Sequence, residues 1–334
     1  MKAIDLQNTL GIDNLAVVEK PEPRPGPGQV LLKMRAFSLN FRDLMVVKGQ
    51  YNPKLKLPMT PLSDGVGEVV MVGEGVTRVK PGDRVAGAFM PGWVGSELTD
   101  AKAKSALGGG GLGMLAEYVV LHEEGVVVVP SHLSDEEAAT LPCAAVTAWH
   151  ALVTSGQVKA GDTVLIQGTG GVSLFALQFA KLLGARVLAT SGSDAKLARV
   201  MQMGTSDGIN YKSTPEWGNR VRELTGSGVD HVVEVGGAGT LGESLRAVRM
   251  GGTISLIGVL TGAGQANPLP ILMKNVRVQG IYVGSRDMFE AMNRAIALHK
   301  LKPVVDRVFA FAEVREAMKY MESAAHFGKI ALRV

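Results

Sequence analysis

The strongest constraint on this chain is a glycine turn wedged between a strand and a helix. Residues 163–167 read as a short apolar strand that runs directly into Gly168-Thr169-Gly170-Gly171-Val172-Ser173 and then a very apolar helical stretch. The first glycine permits a sharp turn, and the second lets a pyrophosphate approach the backbone. Amides and dipole at the helix start then hold its negative charge. The usual third glycine is Ser173 here, small enough to keep helix and strand close. From residue 163 onward strands and helices alternate. Strands are predicted over 163–167, 186–190, 207–210, 229–235, 253–258 and 277–283, with helices over 171–183, 194–203, 215–224 and 240–248. Gly184 and Gly204 stand at helix ends, Pro215 in a first turn, and the last strand follows a longer loop without a clear helix. This alternation predicts an α/β domain with a doubly wound parallel sheet, and the turn in that setting predicts a dinucleotide site at Gly168, Gly170, Gly171 and Val172.

The end of the second strand bears on which dinucleotide. An NAD-preferring site carries an acidic residue there for the ribose hydroxyls. Here the position is Ser191, followed by Ser193 and Lys196, two hydroxyls and a cation that suit a 2′-phosphate. Asp194 could be the missing acid displaced by three, but its place at a helix start favours a first-turn role. NADP(H) is the expected cofactor.

A chain of 334 residues has room for about two domains. Before residue 125 it is β-rich, with apolar runs over 29–35, 66–72, 84–89 and 116–121 broken by Pro and Gly clusters. Residues 90–113, ending in four glycines from Gly108 to Gly111, are the least periodic stretch and read as a mobile flap or a plain surface loop. Ser134-Asp135-Glu136-Glu137 is a capping box, and a second helix is expected over 145–154. The tail reads helix 287–299, strand 306–311, helix 313–322 and strand 329–334. A single cysteine, Cys143, excludes an intrachain disulfide and a multi-thiolate metal site. No signal-peptide pattern and no long apolar run is present, so a cytoplasmic protein off the membrane is expected. A net charge of +4 without a basic, aromatic-laced stripe argues against nucleic acid.

With these residues in hand, the chain resembles the medium-chain dehydrogenase/reductase superfamily, in particular its zinc-free quinone oxidoreductase-like branch. The resemblance rests on Ser38-Leu39-Asn40-Phe41-Arg42-Asp43, on Pro61-Leu62-Ser63-Asp64-Gly65-Val66-Gly67-Glu68-Val69 and on Val79-Lys80-Pro81-Gly82-Asp83-Arg84-Val85. Ala138-Ala139-Thr140-Leu141-Pro142-Cys143-Ala144-Ala145-Val146-Thr147-Ala148-Trp149, the nucleotide turn and His326-Phe327-Gly328-Lys329 complete it, in family order. It implies a GroES-like β-rich catalytic domain (1–143 and 286–334) wrapped around a Rossmann domain (144–285), with cofactor and substrate in the cleft between them. Zinc-dependent members hold the metal with a cysteine, a histidine and a second cysteine. Here those positions read Asn40, Ser63 and Cys143, a poor zinc site, so no metal is expected.

The resemblance also implies roles. Asn40 would lie by the nicotinamide and Tyr51 would face the substrate, with a half-buried turn residue as the plain alternative for Tyr51. Tyr211 would stand against the 2′-phosphate or merely pack on the sheet edge. Gly258, Val259 and Leu260 would run beside the nicotinamide ribose, with backbone contacts from Ile281 and Val283, while Tyr282 serves packing. Arg42 reads as a pocket candidate or, with Asp43, as a structural ion pair; Trp93 reads as an exposed or packed indole or a pocket wall, and Lys329 as a solvated strand lysine or one that reaches a phosphate. None of the six histidines is nominated as a general acid.

Without a Lewis acid, simple ketones and alcohols become harder substrates. Quinones and α,β-unsaturated carbonyls accept hydride directly, so an NADPH-dependent reductase of such electrophiles is the leading expectation. Alternatives are an NADP-dependent alcohol dehydrogenase or carbonyl reductase, and an NADPH-binding protein with little turnover. The family habit of pairing Rossmann domains through the last strand makes a homodimer the expected assembly.

Overall fold

The strand Gln29–Leu39 organises the first part of the molecule, because nearly all of its residues are buried and it has neighbours on every side. In the computed structural model, which describes every residue except Val259 and Ala263, the chain divides into two units. One is Met1–Val146 with Gly284–Val334, and the other is Thr147–Val283. In the first, strands Val305–Ala310, Lys329–Arg333, Gln29–Leu39, Asp64–Val72, Arg84–Gly87 and Val126–Val128 form one sheet in that spatial order. Tyr118–His122 also pairs with Gln29–Leu39. Phe37, Leu39, Leu62, Met114, Ile330 and Leu332 fill the core beneath it. Each such side chain contributes roughly 1.5–3 kcal/mol through its burial.

The second unit holds, in chain order, β1 (Thr163–Gln167), α1 (Gly171–Leu182), β2 (Arg186–Ser191), α2 (Asp194–Gln202) and β3 (Asp207–Asn210). Then come α3 (Trp217–Thr225), β4 (Val229–Glu234), α4 (Ala238–Ala247), β5 (Val248–Leu256), α5 (Leu269–Met273) and β6 (Arg277–Gly280). All six strands are parallel, in the order β3-β2-β1-β4-β5-β6. The order reverses between β1 and β4, the switch point outside which open α/β sheets bind ligands. The fold is therefore α/β, a GroES-like β-rich unit and a Rossmann-like parallel sheet.

Several expectations need correction. The strands Lys2–Leu6 and Leu15–Glu19 pair antiparallel at the N-terminus, where no strand was predicted. β5 begins at Val248, and the connection to β6 contains α5. α3 starts at Trp217, two residues after Pro215, because Glu216 still has ψ 45, outside the helical region. The helix expected over 145–154 is α-helical only over Val146–Trp149 and is flanked by wider turns at Leu141–Ala145 and His150–Thr154. Pro142, which lacks an amide hydrogen, accounts for the first of these; we have no physical account of the second. Among the described residues no helix is long and apolar enough to cross a membrane.

Candidate active site

The glycine turn is built as its sequence requires. Gly168 has φ +69, a left-handed conformation that only glycine adopts without strain, and its amide donates to Thr190 O at 2.7 Å. Gly170 is the N-cap of α1, and a Cβ at Gly168 or Gly170 would meet no other group within 4 Å. That open face, the amides of Gly171 and Val172 and the helix start fit a pyrophosphate. Ser173 does more than tolerate the missing glycine: its buried hydroxyl donates to Gln167 O at 2.6 Å, tying α1 to the end of β1.

At the end of β2, buried Ser191 accepts from Ser193 N at 3.3 Å, and Ser193 caps α2 by accepting from Lys196 N at 3.4 Å. Among the described residues neither hydroxyl donates a hydrogen bond. Asp194 accepts from Asn210 Nδ2 at 2.7 Å, so this carboxylate is engaged with β3. Tyr211 is half-exposed, and its hydroxyl lies over Gly192, where a Cβ would come within 2.7 Å of it. The structure thus gathers Ser191, Ser193, Lys196 and Tyr211 around one strand end, with no carboxylate in the position of the ribose acid.

Gly258 packs directly on the preceding loop, since a Cβ there would lie 1.6 Å from Val235 O. Leu260 is exposed, and Val259 lies outside the described residues. Ile281 and Val283 are buried. Val283 has φ +53, a strained backbone for a β-branched residue, and its carbonyl accepts from His150 Nδ1 at 2.8 Å. Burial pushes the His150 imidazole below its ordinary range, keeping it neutral. Tyr282 is 40% exposed.

In the first unit, strand pairing assembles a second cluster. Ile330 lies opposite Leu39 and Asp64 opposite Ser38, which brings Lys329, Asn40 and Asp64 to one place. Lys329 is the main correction: it is only 4% exposed, not solvated. Its Nζ donates to Asn40 Oδ1 at 2.6 Å and to Leu39 O. Asn40, the N-cap of the helix Phe41–Val47, is buried and its backbone N–H donates to Asp43 Oδ2 at 2.8 Å; its Nδ2 faces the Asp64 carboxyl, which it helps hold down, without a hydrogen bond of good geometry among the described residues. Asp64 Oδ1 accepts from Ser63 Oγ at 2.8 Å and Oδ2 from Cys143 N at 3.2 Å. Burial pushes the Asp64 carboxyl up, against the pull of the Lys329 ammonium, and pushes that ammonium down in turn. Burial raises Asp43 to about 6 despite Arg42, and it also drives the Cys143 thiol up, keeping it protonated.

Arg42 and Asp43 approach only to 3.8 Å. Arg42 instead stacks between Tyr51 and Phe89, 5.0 and 4.9 Å from their ring centres, and donates to Leu107 O at 2.6 Å. Tyr51 is 41% exposed, while Trp93 is a packed indole donating to Ser96 O at 3.0 Å. Sequence reasoning misread Lys329 and passed over Asp64, Gln167 and Glu234. The available signal was a charged or amide residue at the boundary of an apolar strand and a glycine turn, as in Val232-Val233-Glu234-Val235-Gly236-Gly237.

Comparison with known proteins agrees with this construction. Residues 26–131 match the alcohol dehydrogenase GroES-like domain and residues 171–297 the zinc-binding dehydrogenase domain. A zinc-type alcohol dehydrogenase-like protein of Schizosaccharomyces pombe is 44% identical, over 97% of this chain and 96% of its own. A solved NAD-dependent alcohol dehydrogenase superposes with a TM-score of 0.91 at 36% identity, covering 100% of both chains. A mycobacterial protein solved with NADPH gives 0.84 at 28% identity, again over 100% of both. The chain is an oxidoreductase that belongs to the medium-chain dehydrogenase/reductase superfamily.

Proposed function

We propose that this protein is an NADPH-dependent reductase of quinones or α,β-unsaturated carbonyls that works without zinc. The observation that carries the proposal is the bonding of Asn40, Ser63 and Cys143, the three positions where zinc-dependent relatives hold their metal. Asn40 Oδ1 is taken by Lys329, the Ser63 hydroxyl is given to Asp64, and Cys143 is the one sulfur among the three. That donor set does not fit zinc, which asks for thiolate or imidazole lone pairs. The zinc in the names of the matching domain and of the yeast relative is a property of those proteins.

For the cofactor, the open glycine face would receive the pyrophosphate, and Ser191, Ser193, Lys196 and Tyr211 the 2′-phosphate. Gly258, Leu260, Ile281 and Val283 would flank the nicotinamide end. NADPH bound there supplies the hydride. The relatives' names and ligands carry both NAD and NADPH, so the choice rests on the strand end, where a carboxylate would repel a 2′-phosphate and none stands. On the substrate side, Asn40 offers a fixed donor to the carbonyl oxygen on which charge develops, and Tyr51 provides a stacking face. Acceptors that need no metal polarisation match this modest equipment.

A second reading, an NADP-dependent alcohol dehydrogenase or carbonyl reductase, is favoured by the alcohol dehydrogenase names among the relatives. The deciding experiment follows NADPH oxidation by chelator-treated protein against quinones, enones, and simple aldehydes and ketones. Turnover confined to quinones and enones supports the proposal. Turnover of simple ketones moves the second reading forward, and tight NADPH binding without turnover points to a binding protein. We propose a homodimer as well, formed along the edge strand β6 beside the exposed side chains Met250, Leu269, Leu272 and Met273.

A further inference from the structure

The register of β1 against β4 sets Ile166 opposite Val233, so the next residues, Gln167 and Glu234, meet where the sheet's strand order reverses. Both are buried, Glu234 completely. Glu234 is a carboxylate with five donors and no cation among its hydrogen-bond partners. Its Oε1 accepts from Gly236 N at 2.8 Å, Gly237 N at 2.9 Å and Thr240 Oγ1, and its Oε2 from Gln167 Nε2 at 2.7 Å and Ser244 Oγ. Gln167 Nε2 gives its other hydrogen to Ser244 Oγ at 2.7 Å, and its Oε1 receives Val235 N at 3.3 Å and Gly236 N at 3.4 Å. Its backbone carbonyl holds Ser173, and Gly168 follows it in the chain.

We propose that Gln167 and Glu234 form a buried lock that positions the dinucleotide-binding turns after β1 and β4, and that dinucleotide affinity depends on its polarity pattern. This rests on the dinucleotide reading of the site and on neither acceptor chemistry nor the choice between NADPH and NADH. The lock joins the end of β1, the start of α1, the end of β4 and the first turns of α4. It therefore fixes the spacing of Gly168–Gly171 against Val235–Gly237 before any ligand arrives. Preorganisation of this kind appears in affinity, because the ordering is done in the free protein. The pattern is also exacting. With glutamine at both positions, every arrangement of the two amides sets an NH2 group against a backbone N–H or against the other NH2 group. With glutamate at both, two carboxylates face each other in a dry site. Exchanging the two residues satisfies every donor again. The amide now at position 234 would give its NH2 to Ser244 and to the carboxylate now at position 167, and that carboxylate would accept Val235 N and Gly236 N.

The test uses the full-length protein and titrates NADPH and NADH by fluorescence, at a temperature where circular dichroism shows each variant folded. Glu234→Gln is expected to weaken binding by about tenfold or more, and the double exchange Gln167→Glu with Glu234→Gln to recover it to within about threefold of wild type. A purely structural role would lower the melting temperature but leave the affinity of the folded protein unchanged. Folded Glu234→Gln binding within about twofold of wild type, or a double exchange no better than the single one, overturns the proposal. If Glu234→Gln does not fold, Ser244→Ala decides: about threefold weaker binding is expected, and unchanged binding overturns the lock. A wild type that binds NADH and not NADPH refutes the NADP reading, and the lock is then judged on NADH.

Discussion

Lys329 Nζ stands 2.6 Å from Asn40 Oδ1, and because an ammonium only donates, this contact fixes which way the amide faces. The NH2 group of Asn40 is therefore the one turned away from Lys329, and it is the buried donor that the proposed reaction assigns to the substrate carbonyl. Asn40→Asp would give Lys329 a carboxylate partner and remove the donor. We expect kcat for an enone or quinone to fall by about a hundredfold, with NADPH affinity unchanged. Lys329→Met should also lower kcat, and combining the two should cost little more than Asn40→Asp alone. Steady-state kinetics with a parallel NADPH titration checks this; an Asn40→Asp enzyme at the wild-type rate would remove Asn40 from the chemistry.

Cofactor choice is open to a single substitution. Ser191 accepts from Ser193 N, and an aspartate there would keep that bond while adding negative charge where the 2′-phosphate is expected. In Ser191→Asp the ratio of kcat/KM for NADPH over NADH should fall by about tenfold or more, a change of roughly 1.4 kcal/mol. An unaltered ratio would place the 2′-phosphate elsewhere.

Space at Gly170 separates folding from binding. A Cβ there meets nothing within 4 Å beyond its chain neighbours, so Gly170→Val should melt within a few degrees of wild type. It would fill the face offered to the pyrophosphate, and NADPH affinity should drop by about a hundredfold, near 2.7 kcal/mol. Calorimetric melting and a binding titration on one preparation test both halves.

The raised Asp43 pKa sets the sign of a pH effect. With a folded pKa of about 6 against an ordinary 3.8, the native state holds the proton more tightly than the unfolded chain. Stability from this group is greatest at low pH and is lost as pH rises through 4 to 6, on the order of 2–3 kcal/mol in all. Asp43→Asn should flatten that limb of the stability–pH curve in urea unfolding. Parallel curves for the two proteins would show that Asp43 titrates like an ordinary carboxylate.

The expected dimer is tested at Leu272, which is 76% exposed beside Met273 at 68%. Leu272→Glu should shift sedimentation toward the monomer with little effect on NADPH binding. A wild-type protein that sediments as a monomer would refute the assembly outright.

Local patterning explains which features the sequence disclosed. The alternation from Thr163 onward and the Ser134–Glu137 capping box depend on neighbours a few residues apart; the capping box stands where it was read, and the alternation stands in its sequence of elements with several bounds moved. The GroES-like unit came through family resemblance, while the order of the strands was set only by the structure. Lys329 could not be read correctly, because its burial depends on strand pairing with Leu39, 290 residues away. Glu234 was hidden for a related reason: a carboxylate in an apolar strand looks anomalous until its donors, gathered from Gln167 to Ser244, are brought together in space. The helix expected over 145–154 is present but departs from α geometry at its end, since propensity does not register an extra residue per turn.

The glycine tetrad has a consequence for protein engineering. A Cβ at Gly109 would come within 2.2 Å of the Arg42 guanidinium, which is itself clamped between two aromatic rings and bonded to Leu107. Gly111, two residues on, would meet nothing within 4 Å. The tetrad is thus a mould around an arginine at one end and unused volume at the other. A library that randomises this loop to alter substrate range would waste its diversity at 109 and can spend it at 111.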